Sequence, residues 1–155
     1  MKRAFYFFLV TGILVVCVPQ SGRAEGQRIG FFANLGVMTK EGSSPYWVTL
    51  GAEVALQLGT RWSLNPEVSV WGSNFRFDSY YIVPGVVVNF RIGRFTLGAG
   101  AVKRFWYSRF SKSDSSEKIA PKIQVGYRSR NSRITLIVIP LSSRNYVGVA
   151  LGMGF

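Results

Sequence analysis

The sequence predicts an all-β protein: an eight-stranded antiparallel up-and-down transmembrane β-barrel at residues 25–155, after a cleaved signal peptide at 1–24. Three observations predict it. Apolar and polar residues alternate with a period of two through eight segments. The connections between those segments alternate between tight and long. The chain opens on a short apolar run behind two basic residues, the pattern of an export signal.

The export signal comes first. In "MKRAFYFFLVTGILVVCVPQSGRAEGQ", Lys2 and Arg3 precede an apolar run from Ala4 to Val18. Gly22 and Ala24 flank Arg23 and satisfy the small-x-small rule, which places cleavage after Ala24. The run is shorter than the ~20 apolar residues of a membrane-spanning helix. A lipoprotein site at Cys17 is disfavoured by the bulky Val16 before it.

The strands follow, at roughly 27–38, 46–58, 62–73, 80–90, 95–107, 117–128, 133–141 and 145–155. "YWVTLGAEVALQL" is the clearest. Tyr46, Val48, Leu50, Ala52, Val54, Leu56 and Leu58 make one wholly apolar face; Trp47, Thr49, Gly51, Glu53, Ala55 and Gln57 make the other, mostly small or polar. "WSLNPEVSVWGS" and "RIGFFANLGVM" repeat the pattern. Several segments exceed the ~5–6 residues of an ordinary strand. They match the ~9–11 tilted residues that cross a bilayer.

Connections alternate in size. "GTR", "RIGR" and "SRNS" are tight and basic; "TKEGSSP", "NFRFDS" and "SRFSKSDSSE" are longer and polar. The last, near "SSR", is short. Outer-membrane barrels keep short turns on the periplasmic side and longer loops outside. A three-residue turn at Gly59–Arg61 would pair Leu58 with Trp62, and a four-residue turn at Arg91–Arg94 would pair Phe90 with Phe95. Both keep apolar faces together, which a one-residue slip would not. Pro66, Pro84, Pro121 and Pro140 fall inside strands and are expected to mark bulges or gaps in the ladder. Trp47, Trp62, Tyr80, Phe90, Phe95, Trp106, Tyr107, Tyr127 and Tyr146 fall near segment ends, as aromatic girdles do.

With its signal, eight alternating segments and a last strand running Val147, Val149, Leu151, Met153, Phe155, the chain resembles the small outer-membrane β-barrels of the OmpA/OmpX type. The resemblance covers residues 25–155 as a pattern, without a residue-level signature. It implies a porin-like place in the Gram-negative cell envelope. It implies outer-membrane lipids, including lipopolysaccharide, and the barrel assembly machinery as partners. It also implies that Phe155, with Met153 and Leu151, is an assembly signal as well as part of a strand.

Composition narrows the chemistry. The sequence has no histidine, and its only cysteine lies in the signal. Serine–histidine and cysteine–histidine activation are therefore unavailable. The enzymes known among small outer-membrane barrels rely on histidine, so the expectation is a non-catalytic protein with no cofactor or metal. Of 19 Lys and Arg, Lys2, Arg3 and Arg23 fall in the signal, leaving 16 against 7 acidic residues, a net of +9. Export argues against nucleic acid as the partner of that charge. Arg28, Arg61, Arg91, Arg94, Arg128, Arg130 and Arg133 are expected at the periplasmic rim. Lys40, Arg76, Lys103, Arg104, Arg109, Lys112, Lys118 and Arg144 are expected towards the outside. Rim cations can pair with lipid phosphates.

The Gly59–Arg61 turn sets Glu53 opposite Glu67 on the inward face, where like charges repel. Lys122, with Arg104 as the alternate, is the expected cation of a lumen charge cluster. The leading expectation is a monomeric barrel with a side-chain-filled lumen and a structural or surface-interaction role through its outer loops. A lipid- or small-ligand-binding, or lipid A-modifying, barrel is the alternative. A soluble lipocalin-like barrel would need the face carrying Glu53, Glu67, Gln57, Lys122 and Gln124 to point outward.

Overall fold

In the computed structural model, residues 29–40, 43–73, 76–108, 118–141 and 145–155 are described. The expected signal peptide at 1–24 lies outside the described residues, as do Arg28, Arg109, Lys112 and Arg144. Every alternating segment forms a strand. The strands are β1 (Ile29–Lys40), β2 (Ser43–Gln57), β3 (Trp62–Ser73), β4 (Arg76–Ile92), β5 (Phe95–Val102), β6 (Phe105–Ser108), β7 (Ala120–Arg128), β8 (Ser132–Ile139) and β9 (Tyr146–Gly154). Strands β5 and β6 are two halves of one barrel strand, because both pair with β4 in a single register. Consecutive strands pair antiparallel. β1 returns to β9 with Leu35 opposite Leu151, which closes the sheet. The result is an eight-stranded up-and-down barrel.

The prolines interrupt the ladder for a local reason. Proline has no N–H to donate. Opposite Pro84, Lys103 N–H still donates to the Pro84 carbonyl at 2.9 Å, but no reciprocal bond can form, and the strand breaks at 103–104. Pairing of β2 with β3 likewise lapses between Glu53↔Glu67 and Leu56↔Leu64, the stretch that holds Pro66. β8 ends at Ile139, just before Pro140, whereas Pro121 stays in register opposite Ala101.

Two expectations about connections are corrected. The turn between β4 and β5 has two residues, not four: Ile92 pairs with Phe95, and Phe90 with Leu97. Gly93 at φ 60° supplies the positive φ that a two-residue hairpin needs. The connections expected to be long at 39–45 and 74–79 are mostly strand. β1 runs to Lys40 and β2 starts at Ser43; β3 runs to Ser73 and β4 starts at Arg76, with a register shift near each end. Backbone pairing continues there although the residues are polar. The Gly59–Arg61 turn is as expected, with Leu58 N–H donating to the Trp62 carbonyl at 2.9 Å.

Candidate functional site

Alternation turns even-numbered residues of β1, β5, β6, β7 and β9 inward, and odd-numbered residues of β2, β3, β4 and β8. The opposite set is apolar and exposed along every strand, as at Leu35, Leu50, Val86, Leu97, Ile123, Leu136 and Val149. The polar face that carries Glu53, Glu67, Lys122 and Gln124 is therefore the interior. That interior has two layers and forms the candidate site.

The first layer is ionic and lies nearer the tight turns. Glu53 and Glu67 face each other across β2 and β3. Each carboxylate has its own cation. Lys122 Nζ pairs with Glu67 Oε1. Arg133 grips Glu53 with both guanidinium arms, Nη1 donating to Oε1 at 3.0 Å and Nη2 to Oε2. Such forked pairing is the strong form of a charge-assisted bond. Asn65 Nδ2 also donates to Glu53 Oε1, and Asn34 Nδ2 donates to Oε2 at 3.4 Å. Ser63 Oγ donates to Asn65 Oδ1 at 2.6 Å, which fixes the amide. Two buried carboxylates side by side are unfavourable without cations; here each is engaged. Gly85 leaves room for Glu67, since a Cβ there would lie 3.2 Å from Glu67 Oε1.

Arg133 was expected at the rim and sits in the lumen instead, 7% exposed. The signal was its parity: it alternates with Thr135 and Ile137 against Ile134 and Leu136. Two inward carboxylates also called for two cations. Arg104 does not join the ionic layer. It is buried, with its guanidinium carbon 4.7 Å from the centre of the Tyr146 ring and 5.3 Å from that of Tyr81, a cation–π arrangement. It lies in the strand break at 103–104, on the loop side of the row that holds Glu67. Inward and buried, it also leaves the set of outer-rim cations.

The second layer is apolar and aromatic. Met38, Trp71, Val83, Val102, Ala120, Ile139 and Tyr146 form the buried core, with Trp47 and Tyr81 packed on it. Trp47 contacts Tyr81 edge-on at 5.2 Å, and Tyr81 meets Trp106 at 4.6 Å. Trp47, Trp106 and Tyr146 thus correct the girdle assignment: parity points them into the lumen. The outward aromatics do ring the barrel. Trp62–Phe90 and Phe95–Tyr127 lie at the turn end, and Tyr80 stacks on Tyr107 at the other.

Between the layers lies a cavity of about 40 Å³ that reaches Glu67, Lys122, Arg133, Thr135 and Trp71. A space of that size holds a few waters at most. Among the described residues no group of His, Cys, Asp or Glu has the makeup of a metal site. On the last strand, Leu151 and Met153 are exposed outward, and Phe155 N–H donates to the Phe31 carbonyl at 3.0 Å.

No protein-family model matches the sequence, and no curated protein matches it. Solved structures do. The N-terminal β-barrel domain of Pseudomonas aeruginosa OprF superposes with a TM-score of 0.57 at 13% identity, covering 84% of this chain and all of that one. A de novo designed transmembrane β-barrel superposes at 0.56 with 12% identity, covering 81% of this chain and 95% of the design. The designed barrel TMB2.3 gives 0.56 at 10% identity, covering 83% and 96%. The closed eight-stranded sheet, its outward apolar face and these superpositions agree: the chain has the fold of the small outer-membrane β-barrels.

Proposed function

We propose that this chain is an integral outer-membrane barrel with a filled lumen, non-catalytic, whose role is structural or lies in surface interactions of its longer polar connection at 109–117. The observation that carries the reading is the continuous outward apolar surface. Monomeric soluble proteins rarely expose apolar patches beyond a few hundred Å². Here exposed Val, Leu, Ile and aromatic residues occur on all eight barrel strands. A bilayer is the solvent that suits such a surface. The non-catalytic part rests on the lack of histidine and of cysteine after Ala24. The lipid partners are anionic headgroups, including those of lipopolysaccharide, met at the loop end by exposed Lys118 and outward-facing Lys103, whose Nζ lies 5.0 Å from the Phe105 ring centre. Leu151, Met153 and Phe155 serve the assembly machinery as the recognition strand.

Cell fractionation tests this reading. The mature protein should sediment with outer membranes and stay there through carbonate and high-salt washes. Trypsin added to intact cells should cut at Arg109 or Lys112. Release into the soluble periplasm without detergent would sink the membrane assignment.

A further inference from the structure

The tight-turn end of the lumen holds a second cavity, of about 30 Å³. Its lining includes four arginines, Arg61, Arg91, Arg128 and Arg133, and no carboxylate. Parity explains the cluster. Positions 61 and 91 continue the inward odd series of β3 and β4, 128 the inward even series of β7, and 133 the inward odd series of β8. Among these, the Arg133 charge is already matched by Glu53. Arg91 Nη2 donates to the Thr60 carbonyl at 2.8 Å, which satisfies one donor and leaves its charge unneutralised by that bond.

The cavity also collects buried donors. Asn89, 3% exposed, lines it. Its Oδ1 accepts from Gln124 Nε2 at 2.9 Å, whereas its Nδ2 has no hydrogen-bond partner among the described residues. The same holds for Nε of Arg133, which is 7% exposed. A buried donor left unpaired is costly, so a wall that holds two of them suits a ligand made of acceptors. Guanidinium groups bind oxyanions through charge-assisted bonds. We propose that this mouth is a binding site for a small tetrahedral oxyanion of the phosphate class. Arg61 and Arg91 hold its charge from the rim, and Asn89 Nδ2 and Arg133 Nε donate from the wall. The residues that line the cavity belong to the inward series and none to the apolar outer face, which favours a soluble anion over a lipid headgroup.

The test uses residues 25–155 folded in dodecyl maltoside micelles, which carry no phosphate. Inorganic phosphate is titrated at low salt and followed by phosphorus NMR line broadening. Arg61→Gln and Arg91→Gln lie on the rim, and retained heat-modifiable gel mobility checks their fold. Wild type should bind saturably, and each variant should bind about tenfold more weakly, the loss of one charge-assisted bond. Arg94→Gln, whose side chain donates to Tyr127 outside the cavity, should bind as wild type does. No saturable binding by wild type overturns the proposal, as does binding by both rim variants as tight as that of wild type. Binding of dihexanoylphosphatidylglycerol without binding of inorganic phosphate overturns it in favour of a headgroup.

Discussion

Glu53 and Glu67 share one height of the lumen but not one environment. The Glu53 side chain is 2% exposed and the Glu67 side chain 12%. Removing a cation strands the carboxylate it served, and the loss grows as the stranded charge is more deeply buried. Arg133→Met should therefore destabilise by about 3–5 kcal/mol, the usual result of breaking a buried pair. Lys122→Met should lose measurably less, because Glu67 keeps some contact with solvent. Urea unfolding of the barrel in lipid vesicles gives both values, and the reverse order would mean that Lys122 is the cation on which both carboxylates depend. The sequence already carried Glu53, Glu67 and Lys122, since parity alone turns them inward. It hid Arg133 because a basic residue next to a tight turn reads as rim charge. Its alternation with Thr135, and the need of two inward carboxylates for two cations, showed otherwise. Arg104, the alternate cation, was expected nearer the outer end and is found there; the sequence did not show that the rings of Tyr81 and Tyr146 would take its guanidinium.

Strand boundaries and faces were legible where the two faces differ, and registers less so. The β4–β5 hairpin shows why. Pairing Phe90 with Leu97 in place of Phe95 moves the register by two residues, and a shift of two leaves every side chain on its own face. Alternation therefore could not separate a four-residue turn from a two-residue one; the positive φ of Gly93 does. The inward Gly100 of β5 has no room for a side chain. A Cβ on Gly100 would stand 2.0 Å from the Val86 carbonyl oxygen and 2.7 Å from Val87 Cα, both backbone atoms that cannot rotate away. Gly126, on the inward face of the adjacent β7, has no neighbour nearer than 3.5 Å. Gly100→Ala should cost about 1–3 kcal/mol as an overpacking change, whereas Gly126→Ala should fall close to wild type. Their urea midpoints in lipid decide it. Equal midpoints would show that β4 and β5 can move apart at no cost, in conflict with their continuous pairing from Gly85 to Ile92.

The barrel as a whole has its polarity reversed relative to a soluble domain, and that reversal can be tested at one position. A similar fold is adopted by a designed chain, so the fold by itself assigns no role; the solvent of its outer face is a separate physical question. Leu35 pairs with Leu50 on one side and with Leu151 on the other, and the three are 56%, 59% and 57% exposed. This row crosses three neighbouring strands between the aromatics of the two ends, where the centre of a bilayer would lie. An arginine facing lipid at the midplane costs about 2–4 kcal/mol, falling towards zero near the interfaces. On a soluble barrel the same arginine would meet water and cost almost nothing, since surface substitutions usually fall within about 0.5 kcal/mol. Leu35→Arg should therefore lower vesicle-based folding stability by about 2–4 kcal/mol. Ile29→Arg, at the start of β1 and beside the tight-turn end, should lower it far less. The comparison between the two positions matters more than either value, because a general loss of β-propensity would affect both alike. Equal stability of Leu35→Arg and wild type, with folding that no longer needs lipid or detergent, would place the barrel in water and remove the basis for its membrane assignment.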